Sequence, residues 1–187
     1  MKRIIIIALI LSLYIPQTTK ATASFVDSTQ IVVLQNGEEL SFPMMKRMSD
    51  PDMQNFLQVK IEADQDVMIK LMKVGKKKKD TCIRAVYIRG YDSLKIENIP
   101  RGSYYMKISY GNSPAKTTIK GETCYQFTSN IMFKQTSNIM KFAKTVKKDK
   151  AGDYYTFENY TVTLKVSGNE QSKDIDTKEI SAEDFLK

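Results

Sequence analysis

Residues 82–111 read CIRAVYIRGYDSLKIENIPRGSYYMKISYG, and the period of this stretch decides the fold. From Ser103 to Tyr110, one side carries Tyr104, Met106, Ile108 and Tyr110, and the other Ser103, Tyr105, Lys107 and Ser109. That alternation belongs to a half-buried strand. Just upstream, Leu94 and Ile96 alternate with Lys95 and Glu97. The break between the two runs is Asn98-Ile99-Pro100-Arg101-Gly102. Proline presets φ at the second position of a turn, and a glycine two residues on accepts a positive φ. Asn98, Pro100 and Gly102 are therefore read as a structural turn. Ile83–Ile88 is apolar on both faces, which predicts a central strand.

Working outward, Leu57, Val59 and Ile61 alternate with Gln58, Lys60 and Glu62, and after the Asp64-Gln65-Asp66 turn Val67, Ile69 and Leu71 alternate with Met68, Lys70 and Met72. Two such runs joined by a short polar turn predict a hairpin. Further back, Ile31–Leu34 is a short β-type run, Asn36-Gly37 signals a tight turn, and Leu40–Phe42 is the expected return strand. Downstream, Asn112–Lys120 reads as a polar connection, Thr123–Phe127 as a short strand and Lys144–Asp153 as a charged loop. Tyr160, Val162 and Leu164 mark a clear strand, ended by Gly168-Asn169, and Ile180 and Phe185 are the docking residues of a polar tail. Short strands with frequent turns and almost no helical period predict an all-β, antiparallel β-sandwich of about seven to eight strands.

The start of the chain reads differently. Met1-Lys2-Arg3 is basic, Ile4–Ile15 is apolar apart from Ser12, and Ala21-Thr22-Ala23 is a small-residue cleavage pattern. This is the build of a secretory signal peptide over residues 1–23, removed before Ser24. The apolar run is shorter than the roughly 20 residues that span a bilayer, so no stable membrane span is expected after cleavage. Residues 24–55 follow as a strand and loop segment, and residues 56–187 as the sandwich domain. Loss of Lys2, Arg3 and Lys20 lowers the formal charge of +8 by three. The remaining charge is modest, and Lys76–Lys79 reads as a solvated turn, so no nucleic-acid partner is expected.

The chain contains no histidine, which removes Ser-His-Asp and Cys-His catalysis and the usual zinc sites. The carboxylate pairs Asp64/Asp66 and Glu183/Asp184 fall in a turn and a tail, and Asp64-Gln65-Asp66 lacks a full acidic calcium loop. No catalytic, metal or cofactor site is assigned, and no cofactor is expected. Two readings of Tyr87, Tyr91, Tyr105 and Tyr125 stay open. They form an aromatic surface for a glycan or peptide, or they cover sheet edges and loops. Cys82 and Cys124 open two different strands; in an exported chain they either pair in a disulfide or remain two buried thiols.

The run Leu94–Gly111, with its Asn-Ile-Pro-x-Gly-x-Tyr turn, resembles the signature of prealbumin-like and carboxypeptidase regulatory-like β-sandwich modules. Taken with Tyr160–Leu164, Gly168-Asn169 and Ile180–Phe185, it is similar to small exported bacterial domains of uncharacterised function. Those domains often carry a tryptophan after the Tyr-Gly closing the middle strand, and this chain has none. The resemblance implies a fold and a place, the periplasm or cell surface, and no reaction. The functional expectation is a non-catalytic binding or accessory module of the bacterial cell envelope. Its partner would be an envelope protein, a peptide or a glycan. The alternatives are a structural subunit of an envelope assembly, or a carboxylate-dependent hydrolase of glycan or cell-wall material.

Overall fold

The computed structural model describes residues 26–76, 79–119, 121–165 and 176–187. The leader at 1–23, Gly168-Asn169 and the middle of the lysine run lie outside these residues. The strands are β1 (Val26–Ile31), β2 (Phe56–Ile61), β3 (Asp66–Lys73), β4 (Thr81–Ile88), β5 (Ser93–Glu97), β6 (Gly102–Ile119), β7 (Glu122–Thr136), β8 (Met140–Phe142), β9 (Lys144–Asp149), β10 (Gly152–Phe157), β11 (Tyr160–Leu164) and β12 (Thr177–Glu179). One short helix, α1 (Ala182–Leu186), follows. The fold is all-β and sandwich-like, with more strands than the sequence spacing suggests.

The principal sheet has seven strands. Its path runs β12-β7-β6-β3-β4, with β1 and β8 also paired to β6. A three-stranded sheet, β11-β2-β5, packs against one face. Pairing is antiparallel except for β11 against β2, which is parallel. The first core lies between the two sheets. Leu57, Val59, Ile61, Ile96, Val162 and Leu164 meet Val67, Ile69, Leu71, Tyr104, Met106, Ile108 and Tyr110 there.

The expected hairpin of residues 57–71 is not formed. β2 and β3 sit in different sheets, so Ala63–Gln65 carries the chain over as an arch. The apolar faces of the two strands then meet across the core rather than side by side. Alternation fixes which face is buried and leaves open whether two strands pair or oppose.

The other face of the large sheet is covered too. A second core holds Leu34, Leu40 and Phe42 from the N-terminal segment, Met68, Met72, Cys82, Ala85, Tyr87, Tyr105, Cys124 and Phe127 from the sheet, and Phe185 from α1. The segment before Phe56 is therefore part of the same fold, with β1 paired along β6. β4 is not central but ends the path. Its open side is closed by irregular backbone: Gly37 N–H donates to Tyr87 O at 2.9 Å, Leu40 N–H to Ala85 O at 2.8 Å and Lys46 N–H to Cys82 O at 2.9 Å. Leu40–Phe42 follows β4 in this way and makes no return strand to β1.

Two expected connections are strands. β6 continues without a break to Ile119, absorbing Pro114 beside a bulge between Tyr110 and Asn112. The charged stretch after Ala143 is the hairpin β9–β10. In the turn before β6, Gly102 has φ +158°, near extended, and the left-handed residue is Asn98 at +56°.

Candidate functional site

Most of the polar chemistry on the second face is already engaged. Lys70 lies on β3 between Met68 and Met72 and is fully buried. Its Nζ donates to Phe185 O at 2.9 Å and Leu186 O at 3.2 Å, and lies 4.8 Å from the centre of the Phe42 ring. Burial pushes this amine down from 10.5 to about 8. Its register partner on β6, Lys107, donates to Asp184 O. Burial lowers this amine as well, against the opposing pull of nearby Asp184. The two lysines thus cap the C-terminal carbonyls of α1, where the helix dipole favours positive charge. Ser181 caps the other end, accepting from Asp184 N–H at 3.0 Å.

The tyrosine surface is not assembled. Tyr87 is buried, and its hydroxyl donates to Asp66 Oδ2 at 2.5 Å. Tyr105 is buried and donates to Asp80 Oδ2 at 3.0 Å. Burial first, and the carboxylate second, raise both phenols. Tyr125 is half-buried against Phe42, with ring centres 6.5 Å apart. Only Tyr91 is well exposed, alone on its turn at φ +58°. Two of the four rings serve the core because its second layer covers the face they project from.

Of the acids singled out in the sequence, Asp64 is exposed on its turn, and the other three are tied into the fold. Asp66 accepts from Tyr87 and from Gly90 N–H at 3.0 Å. Glu183 pairs with Lys187 at 2.9 Å, and Asp184 holds the Ser181 hydroxyl. Cys82 and Cys124 are separate buried thiols, so the structure corrects the disulfide alternative. Cys82 Sγ donates to Arg84 O at 3.3 Å and Cys124 Sγ to Thr117 O at 3.6 Å. Burial pushes both thiols up.

The space left for a ligand lies where α1, the N-terminal segment and the β6–β7 turn meet. An open cavity of about 460 Å³ is walled there by Pro43, Met44, Ile119 and Leu186, and Cys124 borders it but is itself fully buried. Glu122, Glu183 and Lys187 stand around it. Its volume falls within the roughly 300–1,000 Å³ typical of ligand pockets, and its apolar walls with a few polar groups suit one. Met44 is largely exposed beside it and holds a left-handed φ of +57°. Glu183 is neutralised by Lys187, whereas Glu122 forms no ion pair among the described residues. Sequence reasoning missed this site because its walls come from three distant segments, each unremarkable alone. A smaller cleft of about 370 Å³ lies at the lysine-rich end, lined by Val74, Asp80, Tyr105, Ile139 and Lys178 among others.

Among the described residues, no helix is long and apolar enough to cross a membrane. No protein-family model matches the chain, and the comparisons with curated proteins and with solved structures found no match.

Proposed function

We propose that the chain is an exported, non-catalytic binding or accessory module of the bacterial cell envelope. Its ligand has an aliphatic body and a cationic end. The observation that carries this reading is the apolar cavity between Met44, Ile119 and Leu186. The aliphatic part fits these walls, which exclude water around it and gain from its burial. A cationic end fits Glu122, the carboxylate beside the cavity that has no ion pair among the described residues. Such a ligand could be the basic, apolar segment of an envelope peptide. The export part of the proposal rests on the leader pattern and on the resemblance of Leu94–Gly111 to exported sandwich domains.

The test is fluorescence binding of N-phenyl-1-naphthylamine, followed by displacement with decylamine or decanoate below their aggregation limits. Saturable dye binding and tighter displacement by decylamine are expected. Glu122→Gln should erase that preference, and Ile119→Glu should abolish dye binding without lowering the melting temperature much. Failure of the dye to saturate, or equal displacement by the two chains, would overturn the cavity as the site.

A further inference from the structure

The ribbon β9–β10 stands apart from both cores. Its register pairs Lys144 with Phe157, Val146 with Tyr155, Lys147 with Tyr154 and Lys148 with Asp153. Among the described residues it joins no third strand, so β9 and β10 each keep one open edge. Apart from Lys144 and Phe157 at its base, its residues are exposed, including Val146, Tyr154 and Tyr155 at about half exposure. A two-stranded ribbon in water is marginal by itself, and an open edge offers a row of backbone donors and acceptors to an incoming strand.

Charge decides what that strand is. β9 carries Lys144, Lys147 and Lys148, and the turn adds Lys150. Against Asp149 and Asp153 the ribbon is net basic. Lysines along an edge disfavour pairing with a second copy, which would set like charges side by side. They favour a strand that brings carboxylates. Lys144, Val146 and Lys148 share one face, while Thr145 and Lys147 point to the other. Lys144 lies 4.0 Å from the Tyr155 ring centre and Lys148 is 3.7 Å from Asp153. Among the described residues Lys144 and Lys147 have no carboxylate partner, and the Lys148–Asp153 pair is exposed, so Lys148 can share a second acid.

We infer that the open edge of β9 binds an acidic, extended peptide segment of a partner protein as an added strand. On the face of Lys144 the segment presents an acid, an apolar residue against Val146, and a second acid, at alternate positions. Backbone pairing supplies the register, and the carboxylates supply the selection. This inference is independent of the cavity.

The probe is a fluorescein-labelled peptide, Thr-Glu-Thr-Val-Thr-Glu-Thr, titrated by anisotropy against the full chain at low and moderate salt. Amide NMR shifts should be confined to residues 144–149. Replacing both Glu by Gln, or using the variant Lys144→Gln/Lys148→Gln, should weaken binding about tenfold or more. Of two peptides N-methylated at alternate positions of opposite parity, one should lose binding, because only one set of N–H groups faces β9. The melting temperature of the Gln variant checks that the fold persists. The inference is overturned by equal binding of the Gln peptide, or by indifference to N-methylation in both parities. Equal affinity for an anionic polysaccharide at the same amides, or concentration-dependent self-association through β9, would overturn it too.

Discussion

Lys70 is an ionisable group placed where water cannot reach it, and the two carbonyls of α1 only partly offset the lost hydration. Its folded value of about 8 lies below the 10.5 of an ordinary lysine. Between those values the unfolded chain holds the proton more firmly, so the contribution of Lys70 to stability rises with pH across that window. Below about pH 8 both states are charged and the contribution is flat. The buried thiols and phenols act in the opposite sense above about pH 9, because their folded values are raised. Comparison with Lys70→Met cancels those groups. In urea unfolding, the stability of the natural chain relative to Lys70→Met is expected to increase from pH 8 to 10.5; a difference independent of pH would contradict the burial of this amine. Asn55 shows the opposite case, a buried polar group fully used. Its side chain donates to Ile99 O and accepts from Ile99 N–H, both at 2.8 Å. Asn55→Leu leaves both partners unsatisfied, and a loss of about 2–4 kcal/mol is expected. Unchanged stability would mean that water replaces the amide at this turn.

At the level of elements, the tail is the clearest test of the second layer. Phe185 is buried, with its ring centre 5.8 Å from that of Phe42 and 5.3 Å from that of Phe133. Deleting it removes the anchor of α1 and opens a void beneath the helix. Phe185→Ala is expected to destabilise the chain by about 3–5 kcal/mol, and Ser181→Ala, which removes only a cap, by about 1 kcal/mol. Chemical denaturation of the two variants checks the ranking; equal small effects would mean that α1 is an ornament on the sheet. The docking role of Ile180 and Phe185 was legible, because two apolar residues in a polar tail have few other uses. Strands β6 and β11 were legible too, since alternation survives any arrangement of neighbours. The arch between β2 and β3 was not, because a polar turn serves a hairpin or a crossover equally well. The pentapeptide Thr-Ser-Asn-Ile-Met makes the limit plain. Its first copy lies within β7, and its second, at 136–140, leaves β7 and turns into β8. Identical local sequence takes two conformations, so packing makes the choice.

Across the whole molecule, the large sheet is buried on both faces along β3, β4 and the first half of β6, and this explains several differences from the sequence reading at once. A largely apolar run such as Ile83–Ile88, broken only by Arg84, reports layers above and below a strand, not its rank in the sheet. Lys70, between Met68 and Met72, reads as a residue for water and is dry because residues 34–45 and α1 lie over this face. The tail betrays its docking through Ile180 and Phe185, but residues 34–45 have no pattern of their own that betrays the contact. The same layering seals both thiols. Cys82 and Cys124 belong to the second core, are held against carbonyl oxygens, and have raised pKa values that keep the nucleophilic thiolate scarce. A maleimide added to the native chain at neutral pH is therefore expected to label neither residue quickly. After denaturation without reductant it should label both. Phe185→Ala, by loosening the cover over this core, should speed native labelling of Cys124, and Val59→Ala in the first core should speed it less. One experiment thus separates three structures. No labelling after denaturation would mean a disulfide. Rapid native labelling would mean that the second core is not closed. Equal acceleration by the two variants would mean that the cores open as one unit rather than in sequence.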